Sequence, residues 1–158
     1  KSELTTSGTI GAAIEAASFG IPTIAISQSV TRDDIKFENG QINLDYNYAQ
    51  KMLRKLVKHI FKKGMPEDCD LLNLNIPSNP SSDEFEVVRL ANRMYMPSIE
   101  TRYDPRKKPY YWISGELCDF PEKGTDGNSL IYDQKTTLTP IKIDQTGDKD
   151  SLKKWLGD

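Results

Sequence analysis

The sequence feature that most constrains the fold is a helix stop followed at once by an apolar strand. Residues 7–17 are rich in alanine and isoleucine, and Gly20-Ile21-Pro22 follows them. Glycine just beyond a helix and proline shortly afterwards are typical of a helix end. The run TIAIS, residues 23–27, is short and β-branched, which predicts a buried strand. A helix, a tight turn and a buried strand in succession indicate one unit of a layered α/β sheet.

A second helix is predicted between residues 49 and 63, where apolar side chains recur at the spacing of one helical face. These are Ala49, Met52, Leu53, Leu56, Val57, Ile60 and Phe61. Cations fill the other side of this helix, and Gly64 ends it. They are Lys51, Arg54, Lys55, Lys58, Lys62 and Lys63. A solvated face explains these cations better than a nucleic-acid patch, because no aromatic residues are interleaved with them.

The remaining segments change character at a polar linker. DLLNLNIP, residues 70–77, predicts a strand, and SNPSSDE follows it as the best candidate boundary. Beyond the boundary, three segments are typical of antiparallel strands: FEVVRLA (85–91), SIETRYD (98–104) and PYYWISG (109–115). Asp104 to Pro109 would form the tip of a long hairpin. The pattern then predicts a short helix near residues 128–132, a strand at 136–144 and a terminal helix within 148–158.

Composition excludes several classes of protein. The 158 residues are 37% hydrophobic and 28% charged, which is ordinary for a globular domain that needs no metal or disulfide for its core. A net charge of -2 argues against broad binding to nucleic acid or anionic membrane. No apolar run approaches the ~20 residues that span a bilayer. Cys69 and Cys118 lie far apart and are expected to be free thiols, which suits a cytoplasmic protein.

The start of the first predicted helix, Thr6-Ser7-Gly8-Thr9, has an unusual first turn. The opening amides of a helix lack partners within it, and the dipole adds partial positive charge there. No acid compensates this charge, since Glu15 comes too late to form a capping box with Ser7. Gly8 and Gly11 each cost about 1 kcal/mol relative to alanine. An anion held by the open amides and by the hydroxyls of Ser7 and Thr9 would explain this composition.

The same residues have a second explanation, which the local pattern leaves open. Thr6 or Ser7 can be an ordinary N-cap. Gly8 and Gly11 can let the helix lie close to the sheet. These residues alone favour this structural explanation slightly over an anion site.

The stretch TSGTIGAAIEAASFGIPTIAIS, residues 6–27, resembles the signature of the SurE family, the survival-protein E nucleotidases. In that family a Tyr-Ser-Gly-Thr-Val-Gly-Ala-Ala run begins a helix and leads to a Gly-Ile-Pro turn and a strand. Four further segments resemble the family's motifs in the same order. They are LLNLNIP (71–77), DPRKKPYYWISG (104–115), GTD (124–126) and TTLTPIKID (136–144). Five ordered motifs over nearly the whole chain are specific, whereas any one of them alone would be weak.

The resemblance implies a metal-dependent phosphomonoesterase, a 5′/3′-nucleotidase that hydrolyses nucleoside monophosphates and, to some degree, short polyphosphate. The metal is typically Mg²⁺ or Mn²⁺, a hard cation that polarises the phosphoryl group and activates water. The helix start would hold the other phosphate oxygens, so Ser7, Gly8 and Thr9 are the expected phosphate-binding residues. We expect no catalytic residue in this chain. Ser7 is no candidate nucleophile, because no base is identifiable nearby in the sequence.

The family's metal ligands are an Asp-Asp pair, a serine and an asparagine in a Gly-x-Asn-x-Gly loop, all before the Ser-Gly-Thr signature. We therefore expect the chain to begin partway through a longer protein, with its metal ligands upstream of Lys1. Asp33-Asp34 lacks the glycine that follows the family's pair, which favours a solvated turn or helix start. Asn73 and Asn75 belong to a strand rather than to that loop. His59 is the only histidine and has no nearby acid, which argues against catalysis.

The aromatic and basic residues of the hairpin have two interpretations. Six of these residues could stack a base and contact phosphate, and so gate the substrate: Arg102, Tyr103, Arg106, Tyr110, Tyr111 and Trp112. The same residue types are enriched at protein interfaces, and an isolated hairpin is only marginally stable in water. In SurE-like proteins this hairpin and the C-terminal helix are exchanged or packed between subunits. The resemblance therefore favours an interface in a homodimer or homotetramer, with Trp155 as an anchor.

Together these patterns predict the C-terminal part of a three-layer αβα, Rossmann-like sandwich with an antiparallel β-hairpin extension and a C-terminal helix. Residues 1–80 would complete the α/β nucleotidase core. Residues 81–158 would supply the hairpin, a closing strand and the oligomerising helix. The alternative is a non-catalytic α/β module that binds an anion or a partner without performing chemistry.

Overall fold

The structure is a computed structural model that describes residues 7–30, 44–92, 95–117 and 122–157. Within these ranges the chain forms four helices and six strands. The helices are α1 (Gly8–Ser18), α2 (Asn47–Lys63), α3 (Asp126–Ile131) and α4 (Lys149–Leu156). The strands are β1 (Thr23–Gln28), β2 (Leu71–Ile76), β3 (Phe85–Val87), β4 (Tyr95–Tyr103), β5 (Pro109–Leu117) and β6 (Thr136–Ile141).

Four strands form one mixed sheet in the order β1-β2-β6-β3. β1 and β2 run parallel, β2 and β6 antiparallel, and β3 pairs in parallel with β6, where Phe85 lies beside Thr136. The prediction that FEVVRLA joins an antiparallel set was wrong. Only its first three residues form a strand, and this strand pairs in parallel with β6. The β4–β5 hairpin lies between the two strands in the chain.

The first face of the sheet is apolar and is covered by α2. Ala49, Met52 and Leu56 of this helix enclose a cluster with side chains of β2. The β2 members of the cluster are Leu72, Leu74 and Ile76. Phe61 departs from the predicted apolar face, because its side chain is 88% exposed. Gly64 ends the helix as predicted, with a positive φ of 80° that favours glycine.

The second face of the sheet is covered by α1 and α3. Ile10 and Ala13 of α1 pack on three residues of the sheet, Ala25, Leu71 and Ile141. α3 lies over β6 and β2 and buries Ser129 and Leu130. A sheet with helices on both faces is the predicted three-layer α/β architecture, which is confirmed. The sheet takes strands from both sides of residue 80, and the division of the chain at that residue stays a prediction.

β4 and β5 form the predicted antiparallel hairpin, with Arg102 opposite Tyr110 and Tyr103 opposite Pro109. The Asp104 carboxylate closes its tip by accepting the backbone N–H groups of Arg106 at 2.9 Å and Lys108 at 2.8 Å. Among the described strands, β4 and β5 pair only with each other. The hairpin is therefore a two-stranded extension whose described side chains stand largely in solvent.

The terminal helix α4 is capped by Asp148, whose carboxylate accepts the Asp150 backbone N–H at 3.0 Å. It buries none of its residues, and Trp155 is 79% exposed. In the described part of the chain, no helix combines the length and the apolarity needed to cross a bilayer.

Candidate phosphate-binding site

The start of α1 lies at the edge of the sheet where the parallel strands end. α1 joins β1 through four residues that include Gly20, whose φ of 73° turns the chain back. The helix therefore runs antiparallel to β1, and its first turn lies beside the carboxyl ends of β1 and β2. Ligands of open α/β sheets bind at this edge.

Ser7 is the N-cap of α1, which agrees with the structural explanation offered above for this helix start. Its backbone is extended, with φ -78° and ψ 120°, and its hydroxyl oxygen accepts the Ile10 N–H at 3.3 Å. Because the hydroxyl acts as acceptor in this bond, its hydrogen stays available for donation to a ligand. Capping and ligand binding by Ser7 are therefore compatible.

The first turn of α1 is open. The amides of Gly8 and Thr9 have no hydrogen-bond partner among the residues that the structure describes, and the turn contains no acid. A Cβ added to Gly8 or Gly11 would meet no atom of the described residues within 4 Å. Close packing of these glycines on the sheet, which was one explanation for them, is therefore not observed. Two free donors at the positive end of a helix suit an anion.

Ser7, Gly8 and Thr9 are thus contiguous donors at one accessible point. Ser7 is half-buried, whereas Gly8 and Thr9 are exposed to solvent. Two hydroxyls and two amides can meet several oxygens of one tetrahedral anion, which is the hydrogen-bonding pattern that phosphate requires. The arrangement can bind and orient a phosphate group. Its assignment to phosphate stays a prediction.

The described residues do not form a site for a divalent metal. In the ranges that the structure covers, no three His, Cys, Asp or Glu side chains lie close enough to share a cation. Asp33-Asp34 falls outside the described residues. Asn73 and Asn75 lie on β2, and His59 is exposed on α2. The prediction that the metal ligands lie upstream of Lys1 remains untested.

A polar row crosses the sheet on the face that carries α1, and sequence reasoning did not single it out. The row consists of Ser27, Asn75, Thr137 and Glu86, one residue from each strand, each beside the next in the pairing register. Its sequence signal is the alternation Asn-Leu-Asn in β2 and Thr-Leu-Thr in β6. Alternation predicts a strand with one solvated face, but here helices cover both faces.

Two threonines on this covered face have no hydrogen-bond partner. Thr137 and its neighbour along the strand, Thr139, are 0% and 1% exposed, and neither Oγ1 atom makes a hydrogen bond. Glu86 Oε2 is likewise buried without a partner, while Glu86 Oε1 accepts from Lys135 Nζ at 3.1 Å. The Ser129 side chain, followed by Lys135, holds the pKa of the Glu86 carboxyl below its usual range, against the opposing effect of burial.

The predicted interface residues are spread over two elements rather than gathered at α1. Tyr110 and Trp112 lie on one face of β5, Tyr111 lies on the other, and Arg106 is at the tip. Trp155 is on α4, and all five are exposed. On the Trp112 face, the Arg102 guanidinium lies 5.2 Å from the Trp112 ring. It also pairs with Glu100 at 2.7 Å, which lowers the pKa of that carboxyl.

Cys69 is a free thiol, as predicted, and its partial burial raises its pKa, so it is a poor nucleophile. Its Sγ donates a hydrogen bond to the Leu71 carbonyl at 3.2 Å. Cys118 falls outside the described residues. The cysteine that the structure describes therefore has a packing role beside the sheet.

Comparison with known proteins places this geometry in a family. The family model described as Survival protein SurE matches residues 1–97. The 5'-nucleotidase SurE of Methanobrevibacter smithii is 63% identical over 156 residues, which cover 99% of this chain and 60% of that protein. The 5'-nucleotidase SurE of Methanosphaera stadtmanae is 48% identical, over 97% of this chain and 59% of that protein.

A solved structure agrees with these relatives. The SurE protein from Aquifex aeolicus matches with a TM-score of 0.74 and 31% sequence identity, over 99% of this chain and 60% of that chain. The chain thus spans about 60% of the length of the proteins it matches. The resemblance seen in five ordered sequence motifs is confirmed by the family model and by the relatives. The chain belongs to the SurE family.

Proposed function

We propose that this chain is the phosphate-binding part of a metal-dependent phosphomonoesterase, a 5′/3′-nucleotidase that hydrolyses nucleoside monophosphates. Short polyphosphate is a further candidate substrate. Ser7, Gly8 and Thr9 bind the phosphate group, and the nucleoside lies outside the turn. The name of the relatives, 5'-nucleotidase SurE, supports the reaction class, and the chain spans about 60% of their length.

The observation that carries this proposal is the open first turn of α1. Among the described residues, the amides of Gly8 and Thr9 lack partners and the turn itself contains no acid, while the Ser7 hydroxyl hydrogen is available. A dianionic phosphate gains charge-assisted hydrogen bonds from such donors. Because these donors are fixed by the helix before the ligand arrives, they need no reorganisation during the reaction.

The metal belongs to the proposal for the whole protein. Mg²⁺ or Mn²⁺ prefers carboxylate and carbonyl oxygen ligands, and the described residues contain no group of three His, Cys, Asp or Glu side chains that could hold it. Following the family resemblance, we place its ligands upstream of Lys1, and we assign no step of the reaction to it here.

The hairpin and α4 are proposed as contacts between subunits in a homodimer or homotetramer. Arg106, Tyr110, Tyr111, Trp112 and Trp155 are exposed, and they are residue types that dominate binding energy at interfaces. We further propose a cytoplasmic location, which the free thiol of Cys69 supports. We propose no nucleic-acid or membrane partner.

The first experiment measures phosphate release from a panel of nucleoside monophosphates by the full-length protein, with Mg²⁺, with Mn²⁺ and with EDTA. We expect hydrolysis that EDTA abolishes, and little hydrolysis by residues 1–158 alone. Binding of phosphate without hydrolysis in the full-length protein would instead favour the non-catalytic module.

The second experiment separates the capping role of Ser7 from its role in phosphate binding. Ser7→Asp keeps a good N-cap but places a negative charge at the anion site, whereas Ser7→Ala removes both functions. We expect kcat/KM to fall at least tenfold in both variants, and further in Ser7→Asp because of repulsion. Asp148→Ala, which removes the exposed cap of α4, is the matched control and should leave kcat/KM unchanged. Unchanged kcat/KM in Ser7→Asp would overturn the assignment of Ser7.

A further inference from the structure

We propose that Asn75 is a binding residue for the phosphate at the start of α1, and that Thr137 is a positioning residue that orients the Asn75 amide. The inference rests on the proposed phosphate site and extends it to residues of β2 and β6 on the sheet face covered by α1. In this arrangement, the Thr137 hydroxyl donates to Asn75 Oδ1, and Asn75 Nδ2 donates to a phosphate oxygen.

The first argument is the chemical character of the face. On the face under α2, β2 contributes Leu72, Leu74 and Ile76, which are all apolar and buried. On the face under α1, the same strand contributes one leucine, Leu71, and then Asn73 and Asn75 toward its carboxyl end. Burial of polar side chains costs free energy that an apolar pair would not. Side chains covered by a helix are usually apolar, and departures from such a pattern on one face of a strand are expected at functional sites.

The second argument is position. Asn75 is the last residue but one of β2 and lies beside Ser27, the last residue but one of β1. Both parallel strands end one residue later, at the edge where α1 begins. Because Asn75 has the same parity as Leu71, which packs against α1, its side chain is on the α1 face. Asn75 therefore lies on the same face and at the same edge as Ser7.

The third argument is that exposure falls from Ser27 through Asn75 to Thr137, the first three members of the polar row. Ser27 is exposed, Asn75 is half-buried and Thr137 is fully buried. Asn75 is thus both partly accessible to a ligand and paired in the sheet with a fully buried neighbour, Thr137. Side chains directly opposite in an antiparallel pair have Cβ atoms about 5 Å apart, which permits contact between Asn75 and Thr137.

The fourth argument is the unpartnered hydroxyl of Thr137. A buried hydroxyl without a partner is costly, and Thr137 Oγ1 has no partner among the described residues. Rotation of the Asn75 amide toward a bound phosphate would give that hydroxyl an acceptor and the phosphate a donor together. Catalytic hydrogen bonds are often completed only when the ligand is present.

The test is titration of residues 1–158 and the full-length protein with inorganic phosphate, followed by chemical shifts of the α1 amides. Asn75→Asp, an isosteric change that replaces the donor by a charge, should weaken phosphate binding more than tenfold. Thr137→Val should weaken it about three- to tenfold, the size of one hydrogen bond, and Thr137→Ser should restore it. Because Thr137→Val removes an orphaned hydroxyl, its Tm should stay constant or rise.

Thr139→Val is the matched control. Thr139 lies on the same strand and face, is equally buried and also lacks a partner, but it is opposite Asn73, farther from the edge. It should share the effect on Tm and leave phosphate binding unchanged.

The outcomes distinguish this inference from the proposed function. If wild-type protein binds no phosphate, or if Ser7→Ala does not weaken binding, the phosphate site itself fails and this inference fails with it. If Ser7→Ala weakens binding while Asn75→Asp and Thr137→Val behave like Thr139→Val, only this inference fails. A Tm that falls in Thr137→Val but not in Thr139→Val would give Thr137 a purely structural role and overturn its positioning role.

Discussion

The four-stranded sheet and the β4–β5 hairpin use similar strand-forming residues, yet only the sheet encloses them. Leu71 and Leu74 in β2 are 0% exposed, whereas Ile99 in β4 and Ile113 in β5 are 67% and 76% exposed. The sheet has a helical layer on each face, and the hairpin has none among the described elements. Strand pairing alone therefore buries little apolar surface. The sheet is stabilised by packing against its helices, whereas the hairpin depends on backbone pairing and local side-chain contacts.

The comparison also separates two kinds of function. The sheet holds the start of α1 and the polar row, and a rigid arrangement there would suit the proposed binding of a small anion. The hairpin presents aromatic and aliphatic side chains to solvent, which is the surface that a second subunit would cover. The predictions below test this division, beginning with the largest expected effect.

The largest difference is expected from truncation of a buried and an exposed aliphatic side chain. Leu74→Ala leaves a cavity between the sheet and α2, and it should lower the free energy of unfolding by about 2–5 kcal/mol. Ile113→Ala removes a side chain that contacts mostly water, and it should change the free energy of unfolding by less than about 0.5 kcal/mol in dilute protein. Urea denaturation at low micromolar concentration measures both.

Protein concentration sharpens this first comparison. If the hairpin is an interface, the effect of Ile113→Ala should grow as the concentration rises, because assembly adds to the stability of the native state. The effect of Leu74→Ala should stay constant. Equal losses of unfolding free energy from the two substitutions in dilute protein would show that the hairpin is buried in the monomer. The contrast between an enclosed sheet and an exposed hairpin would then be wrong.

The second prediction concerns exposed aromatic residues in the two regions. Trp112→Ala removes an interface candidate that also packs against the Arg102 guanidinium. It should raise the dissociation constant of the oligomer about 30-fold, which corresponds to the ~2 kcal/mol of a binding hot spot. Sedimentation velocity over a dilution series measures this change.

Phe61→Ala is the control for Trp112→Ala, since Phe61 is even more exposed but lies on α2 of the core. It should leave assembly unchanged. If Trp112→Ala instead raises KM for nucleoside monophosphates and leaves assembly intact, the hairpin gates the substrate rather than joining subunits.

Local signals were sufficient to predict most of the fold. The Gly20-Ile21-Pro22 stop, the apolar stripe of α2 and the turn at Asp104 all act within a few residues, so their positions follow from sequence. The parallel pairing of β3 does not, because Phe85 meets Thr136 only after some 50 residues of chain have folded elsewhere. A three-residue strand carries too little pattern to indicate its partner.

The candidate site could be predicted only in part. The helix start at Ser7, Gly8 and Thr9 was recognisable because helix capping is local, but only the family resemblance indicated phosphate as its ligand. Asn75 and Thr137 were not, because their meaning depends on which helix covers their face of the sheet. The alternation of polar and apolar residues in β2 and β6 indicated one polar and one apolar face of the sheet. The sequence contains no local signal that the polar face would also be covered by a helix.

The smallest expected effect compares two carboxylates that pair with cations, one in each region. In the core, Glu86 has a lowered pKa because of Ser129 and then Lys135. In the hairpin, fully exposed Glu100 has a lowered pKa because of Arg102. A carboxyl whose pKa is lower in the folded state than in the unfolded state adds stability at neutral pH. That contribution is lost as pH falls below about 4.5 toward the folded-state pKa.

Glu86→Gln should therefore flatten the loss of stability between pH 4.5 and the folded-state pKa, by a few tenths of a kcal/mol, since water screens the half-exposed pair. Glu100→Gln should leave the pH profile of unfolding unchanged, because Arg102 and Glu100 are both in water. Thermal unfolding from pH 3 to pH 7 measures both variants against wild type. A larger effect for Glu100→Gln would mean that this carboxylate becomes buried in the assembled protein. The polar aromatic face of the hairpin would then be the one that contacts the second subunit.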